Sequence, residues 1–236
     1  MNKNIKIVVK VVIVCAILFH LPLQKVYSEK TQSVLSHDTL TNIPKTSNGK
    51  SIHIYNTHQG EKYATQSVKE GSQYLMSLLV QKGYDVDYET TDFELYKTKN
   101  NINYKYSYAV SKKYLNQSLK KHGQYDMVID FHRDSVKKSA TTIHYKGKDY
   151  AKLMFVVGKS SGNYEAVKKM SDELSKRLNY KIPHISRGIY VKQSHYNQGT
   201  TKNMVLIEVG AHQNTYQEVQ NSLNILAMVI DEYLSQ

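Results

Sequence analysis

The sequence predicts an α/β fold with a mainly parallel, twisted sheet and helices on both of its faces. Short apolar segments alternate along the chain with longer segments in which apolar residues recur at helical spacing. Two of the short segments, residues 126–131 and 203–208, are almost continuously apolar, as strands covered on both faces are. The length of 236 residues is enough for one domain with a substantial core.

The expected elements follow this alternation in order. Strands are predicted at residues 51–55, 84–88, 126–131, 141–145, 152–157 and 203–208. Helices are predicted at residues 68–82, 103–121, 164–178 and 216–234. Gly83 and Gly123 end the first two helices, because glycine readily adopts the backbone conformation that closes a helix. Gly147 is expected in the turn after the fourth strand.

Residues 1–28 have the pattern of a signal peptide or an N-terminal membrane anchor. Three lysines within the first ten residues are followed by an uninterrupted apolar stretch. Residues 29–50 are polar and aperiodic and are predicted to form a linker, so the folded domain is expected at residues 51–236. Export would place this domain outside the cytoplasm, either secreted or anchored to the outer face of the cytoplasmic membrane.

The chain is strongly basic, with a net charge of +12. A basic exported protein is expected to favour anionic polymers, such as teichoic acids, phospholipid headgroups or the carboxylates of peptidoglycan. The lysines are scattered along the sequence and mark no basic helix, so nucleic acid is not an expected partner. Cys15, the single cysteine, lies in the N-terminal apolar stretch. Any metal in the folded domain must therefore be held by His, Asp or Glu, which suits zinc or a harder ion.

Imidazole and carboxylate side chains collect at the ends of three predicted strands. His58 and Glu61 follow the first strand, His132 follows the third, and Glu208 ends the strand at residues 203–208. Because the carboxyl ends of parallel strands meet at one edge of a sheet, we expect these side chains to converge. Two imidazoles and one carboxylate can hold Zn²⁺ and leave a position for water, while the second carboxylate moves protons. The residues alone therefore predict a metal-dependent hydrolase.

Four segments also resemble a known family in composition and order. They are Ile54 to Tyr63 (IYNTHQGEKY), Asp130 to Asp134 (DFHRD), Arg187-Gly-Ile-Tyr190 with Tyr196-Asn-Gln198, and Ile207-Glu-Val-Gly210 with Asn214-Thr215. Together they resemble the stage II sporulation protein P family and span roughly residues 51–234. The resemblance implies the fold of zinc N-acetylmuramoyl-L-alanine amidases. It also implies cleavage of stem peptides from peptidoglycan glycan, with some cutting of peptide cross-links, during engulfment of the forespore.

The resemblance assigns roles to individual positions. His58, Glu61 and His132 would be the zinc ligands, and Glu208 the catalytic acid and base. Glu70 competes with Glu61, because related amidases draw a glutamate ligand from the start of the first helix. We favour Glu61, since the His-x-x-Glu pattern belongs to the closer family.

Three charged residues near the predicted site have two interpretations each. Arg133 either binds a carboxylate of the substrate or forms a structural ion pair at the sheet edge. Asp134 either orients a ligand imidazole or takes part in that ion pair. Arg187 either contacts the stem peptide or makes a structural hydrogen bond. The sequence leaves these alternatives open.

The match has one departure, because Asn56 stands where the family usually has histidine. We interpret this position as a group behind the ligands or on the substrate side, so Asn56 would retune the site rather than abolish it. Two other functions stay open: a non-catalytic wall-binding module of the same fold, and a metal-dependent endopeptidase acting on wall cross-links. The expected partners are peptidoglycan, anionic wall polymers and other sporulation or wall-remodelling proteins.

Overall fold

The computed structural model describes residues 48–236. Its central sheet contains six strands, which are β1 (Ser51–Tyr55), β2 (Asp85–Tyr88), β3 (Met127–Asp134), β6 (Leu153–Gly158), β7 (Ser186–Lys192) and β8 (Met204–Ala211). A separate antiparallel hairpin consists of β4 (Thr142–Tyr145) and β5 (Lys148–Ala151). The predicted signal peptide or anchor, and nearly all of the predicted linker, lie outside the described residues.

The strands follow the order β2–β1–β3–β8–β6–β7 across the sheet. The first four are mutually parallel, and β6 and β7 are parallel to each other. The prediction of a mainly parallel sheet is therefore confirmed. However, β6 runs antiparallel to β8, with Met154 opposite Glu208. The amino ends of β6 and β7 consequently lie at the same edge as the carboxyl ends of β1, β3 and β8.

Six helices connect or flank the strands. They are α1 (Val68–Gln81), α2 (Phe93–Lys99), α3 (Ser107–His122), α4 (Lys138–Thr141), α5 (Tyr164–Lys181) and α6 (Tyr216–Leu234), and a 3₁₀ turn (Tyr104–Tyr106) precedes α3. Ser67 begins α1 with a capping box that it shares with Glu70, which satisfies otherwise unpaired amides of the first turn. The four long helices lie where the sequence predicts them, whereas α2, α4, β5 and β7 were not predicted. No helix within residues 48–236 is long and apolar enough to span a membrane.

Successive side chains of each strand point to opposite faces of the sheet, and a separate apolar cluster lies on each face. Ile129 and Phe131 of β3 and Ile207 of β8 belong to a large apolar core. This core includes buried residues of α1, α5 and α6. On the opposite face, Val128 and Met204 pack in a smaller cluster with residues of α2 and α3. The helices thus cover both faces, as expected.

The smaller layer covers only part of its face. Its helical members come from α2 and α3 and pack against β1, β3 and the start of β8. Farther along the same face, Met154, Val156 and Leu206 line a cleft instead of packing under a helix. The sheet therefore presents a partly apolar floor beside α3, and the predicted site residues surround it.

A buried hydrogen-bond cluster fixes β1, β2 and α3 relative to one another. Oδ2 of Asp87 accepts from Nδ1 of His53 at 2.9 Å, from Oγ of Ser118 at 2.5 Å and from the hydroxyl of Tyr125 at 2.5 Å. His53 is 1% exposed, so its imidazole depends on this carboxylate for its polar contact. These hydrogen bonds, that of His53 first, hold the pKa of Asp87 well below its ordinary value of 3.8.

We predict that Asp87→Asn lowers the free energy of unfolding by about 1–3 kcal/mol, because it weakens hydrogen bonds to a charged acceptor. The folded state keeps Asp87 ionised at lower pH than the unfolded chain does, so protonation favours unfolding. The contribution of Asp87 should be complete above about pH 5 and decline as the pH falls below about 4. Urea unfolding between pH 3 and 7 measures both effects.

Asp149→Asn is the matched control, since Asp149 pairs with His144 on the surface and both side chains are more than half exposed. An exposed pair is expected to contribute less than about 1 kcal/mol. Equal losses for the two variants would contradict a structural role of the Asp87 cluster.

Candidate functional site

The predicted site residues surround one cleft of about 270 Å³ at the edge where β3 and β8 end. The structure brings His58, Glu61, His132 and Glu208 together there, as expected. His132 and Glu208 occupy paired positions on neighbouring strands, so both side chains leave the same face of the sheet. The loop after β1 supplies His58 and Glu61, and α3 contributes Tyr108 to the wall.

His132 is held by carboxylates on both sides of its ring. Nε2 lies 2.8 Å from Oδ1 of Asp130, although the two atoms are not aligned as a hydrogen bond, and Nδ1 lies 3.7 Å from Oε2 of Glu61. Burial alone would lower the pKa of His132, but Asp130, Glu61 and Glu208 together raise it well above the ordinary value. Asp130 is itself fully buried and accepts from the amide and the hydroxyl of Thr57. The carboxylate of Asp130 therefore orients the imidazole from behind.

His58 is held by ring packing. Its ring stacks on Tyr104 at 4.9 Å between centroids and meets the rings of Tyr108 and His132 edge-on at 5.4 and 5.3 Å. Nδ1 of His58 is buried and has no hydrogen-bond partner in the part of the chain that the structure describes. Burial, and then the charge of His132, lower the pKa of His58. The imidazole of His58 is therefore neutral, and one of its ring nitrogens is not engaged in a hydrogen bond. This is the form of histidine that binds metals.

The structure separates the two candidate carboxylate ligands. Glu61 lines the cleft beside His132, and its Oε2 accepts from the amide of Arg133 at 3.2 Å. Glu70 is exposed and does not line the cleft. Its Oε2 is engaged in the capping box of α1, where it accepts from the amide of Ser67 at 2.7 Å. The geometry thus favours Glu61.

Glu208 carries a largely buried carboxyl group beside His132 of the neighbouring strand. Its Oε2 has no hydrogen-bond partner within residues 48–236. Burial raises the pKa of Glu208 to about 7, although the charge of His132 opposes the shift. A carboxyl group with this pKa can accept or donate a proton near neutral pH.

The arginines of the region make structural contacts. Nη1 of Arg187 lies 2.5 Å from Oδ2 of Asp134, which favours the structural interpretation of Arg187. Arg133 lines the cleft, while its Nε and Nη1 donate to the carbonyls of Lys62 and Asp134. The suggestion that Asp134 orients a ligand imidazole is wrong, because Asp130 occupies that place and Asp134 pairs with Arg187.

Asn56 lies behind the site rather than on the substrate side. It is 2% exposed, its Nδ2 donates to the carbonyl of Phe131 at 2.8 Å, and its Oδ1 accepts from Oγ of Ser72 at 2.8 Å. Asn56 therefore ties the end of β1 to α1 and to the residue before His132. Both amide groups are satisfied, so asparagine fits this position without leaving a buried polar atom unpaired.

The sequence did not identify three residues that shape the site. Asp130, Tyr104 and Tyr108 contact the two histidines, yet a carboxylate within an apolar strand and tyrosines at a helix start have several ordinary uses. The alternation of β3 could have indicated Asp130, because residues 130 and 132 must leave the same face.

The side chains of the cleft include the residue types that hold zinc in proteins. Among residues 48–236, no three His, Cys, Asp or Glu side chains are close enough as they stand to hold a metal. Nevertheless, Nδ1 of His58 and Oε2 of Glu208 are buried polar atoms without partners, and Glu61 lies beside His132. The His58–His132 centroid distance of 5.3 Å matches the separation of roughly 5 Å implied by two imidazoles on one tetrahedral zinc. The residue types and their unpaired atoms therefore fit zinc after small side-chain adjustments.

Comparisons with known proteins agree with this architecture. The CwlD amidase from Clostridioides difficile, solved in complex with the GerS lipoprotein, superimposes with a TM-score of 0.54 and 16% identity, over 79% of this chain and 99% of that chain. The N-acetylmuramyl-L-alanine amidase Ami1 from Mycobacterium smegmatis gives a TM-score of 0.49 and 11% identity, over 80% and 98% of the two chains. At such identities the likeness of the CwlD amidase shows the fold alone.

The sequence comparisons are more specific. The chain is 31% identical over 223 residues to the stage II sporulation protein P of Bacillus subtilis (strain 168), a match that covers 85% of this chain and 56% of that protein. The chain thus spans little more than half the length of this curated relative. The family model for stage II sporulation protein P matches residues 21–231. The chain therefore belongs to the stage II sporulation protein P family.

Proposed function

We propose that this chain is an exported, zinc-dependent peptidoglycan hydrolase that acts as an N-acetylmuramoyl-L-alanine amidase. The observation that carries the proposal is the convergence of His58, Glu61, His132 and Glu208 in one cleft, with unpaired buried atoms on His58 and Glu208. Family membership and the amidase names of the structural neighbours support the substrate.

In this proposal His58, Glu61 and His132 hold the zinc ion. Once bound, zinc would polarise the amide carbonyl and lower the pKa of the attacking water. Asp130 orients His132 from behind, and Tyr104 stacks on His58. Both imidazoles are therefore positioned before the ion arrives, which reduces the cost of assembling the site.

Glu208 moves the protons. Its buried carboxyl group, with a pKa raised to about 7, accepts a proton from the attacking water and then gives one to the leaving nitrogen. Arg133, at the wall of the cleft, contacts a carboxylate of the stem peptide. Arg187, predicted to bind substrate, instead has a structural role in this proposal: its ion pair holds Asp134 at the wall of the cleft.

The proposed location is outside the cytoplasm, secreted or anchored to the outer face of the cytoplasmic membrane. The proposed partners are peptidoglycan, anionic wall polymers and other sporulation or wall-remodelling proteins. An amidase of this fold has been solved with a lipoprotein partner, which supports the last class.

Two alternative functions use the same fold. A metal-dependent endopeptidase would need only a different substrate position in the same cleft. A non-catalytic wall-binding module was suggested by Asn56, but this side chain is buried and fully paired away from the cleft. A non-catalytic module would also gain nothing from burying Oε2 of Glu208 without a hydrogen-bond partner among the described residues.

We predict that the full chain releases free stem peptides from purified peptidoglycan in the presence of zinc and stops when a chelator is added. Glu208→Gln should lower the rate by roughly 100- to 10,000-fold, the usual contribution of a general acid or base, without changing the melting temperature greatly. Mass spectrometry of the released fragments measures both results.

Glu165→Gln, an exposed position on α5, is the control and should retain full activity. Cut cross-links with stems still attached to glycan would assign an endopeptidase instead. If the folded, zinc-loaded chain bound the wall and cut nothing, the hydrolase proposal would be wrong.

We further predict that Glu61→Gln weakens zinc binding and Glu70→Gln does not. The loss at Glu61 should exceed the roughly 10- to 100-fold that is typical for changes behind a ligand. Glutamine can replace glutamate in a capping box, so Glu70→Gln should cost little stability. Competition with a zinc chelator dye measures the affinities, and the reverse ranking would assign Glu70 as the ligand.

A further inference from the structure

One segment accounts for most of the net positive charge of the described domain. Seven lysines and no acidic residue lie between Tyr96 and Gln124. Residues 48–236 together carry a net charge of +8, so these 29 residues account for almost all of it. Lysines and arginines are scattered over the rest of the domain as predicted, but in this segment no acidic residue accompanies them.

Helix α3 arranges four of these lysines on its exposed side. Its opposite side is buried through Val110, Ser111 and Leu115. The exposed residues that follow Ser111 form what we call the lysine strip, which consists of Lys112, Lys113, Asn116, Gln117, Lys120 and Lys121. Two lysine pairs thus stand about 12 Å apart, since eight residues separate them along a helix.

The charge of the lysine strip is not neutralised within residues 48–236. None of its four lysines forms an ion pair there, whereas Lys97, the buried lysine of the same segment, pairs with Glu94. Lys113 instead lies over the rings of Tyr96 and Tyr114 and donates to the Tyr96 hydroxyl at 2.7 Å. The strip therefore presents an uncompensated positive field to solvent.

We propose that the lysine strip binds a linear phosphodiester polymer of the teichoic-acid type. Exposed ammonium groups bind phosphate oxygens as point charges, and two lysine pairs about 12 Å apart can contact separate phosphates of one linear chain. Asn116 and Gln117, between the pairs, offer amide donors to oxygens of the same chain. Tyr108 of the same helix lines the catalytic cleft, so the strip leads away from the cleft.

Two other polyanions fit the strip less well. A membrane-bound amphipathic helix buries its apolar side in lipid, but the apolar side of α3 is packed in the protein. Proteins that bind single-stranded nucleic acid stack its bases on aromatic side chains. Lys113 covers Tyr96, and Tyr114 stacks on Phe93 at 5.3 Å. These rings are therefore occupied.

This inference rests on the proposed function in one respect, which is that the bound polymer is a component of the cell wall. The test is accordingly a binding measurement without turnover, so that failed catalysis and failed polymer binding are separate results. The full chain carrying Glu208→Gln is mixed with intact walls, and with walls from which hydrofluoric acid has removed the phosphodiester polymer. The bound fraction is measured by sedimentation over a range of salt concentrations.

The strip variant changes Lys112, Lys113, Lys120 and Lys121 to glutamine. The control variant changes Lys146, Lys148, Lys168 and Lys169, which are also exposed and form no ion pair within the described residues. Both variants lose four positive charges, so total charge is matched. Thermal unfolding checks that both remain folded.

We expect the strip variant to bind intact walls at least tenfold more weakly and with a smaller salt dependence. The control variant should stay within twofold of the parent, and stripped walls should bind the parent and the strip variant equally. If both variants lost the same affinity for intact walls, the effect would be due to net charge alone, and the proposal would be overturned. Binding of the parent to single-stranded poly(dT), or to phosphatidylglycerol vesicles, as tightly as to purified polymer would also overturn it.

Discussion

The buried carboxylate of Asp130 is the constraint on which the site depends. It lies inside the sheet with no exposed surface, so it must be paired to avoid a large desolvation cost. Thr57 supplies an amide and a hydroxyl from the loop after β1, and His132 supplies an imidazole from β3 itself. The same carboxylate therefore closes the loop that carries His58 and orients His132. The contacts that hold the loop after β1 against β3 are consequently also the ones that position the candidate site.

The topology explains why a cleft forms beside these residues. Helices α2 and α3 cover one half of a sheet face, and the sheet continues past them through β8 and the reversed pair β6 and β7. The uncovered strands line the cleft with apolar side chains, and Glu208 stands beside them. Burial at this position raises the pKa of Glu208. The shape of the fold therefore also determines the acid–base chemistry of this carboxyl group.

Much of this could be predicted from the sequence, and the omissions have physical reasons. Apolar runs and helical periodicity identified the sheet and the long helices because burial imposes those patterns. Helix α2 was missed because seven residues show too few turns for a period, and β7 because Gly188 interrupts its pattern. His58, His132 and Glu208 could be grouped because parallel strands end at one edge. The orienting role of Asp130 required the actual pairing of β1 with β3, which distant contacts decide.

The unbroken course of α3 has a mechanical consequence. A helix is a stiff rod with a fixed rise per residue, and the first turn of α3 places Tyr108 at the cleft while Lys121 lies in its last turn. About 20 Å separate these two points along the axis. The helix therefore fixes the distance between the cleft and the far end of the lysine strip. Any molecule that is held at the far end of the helix and also enters the cleft must therefore span at least about 20 Å.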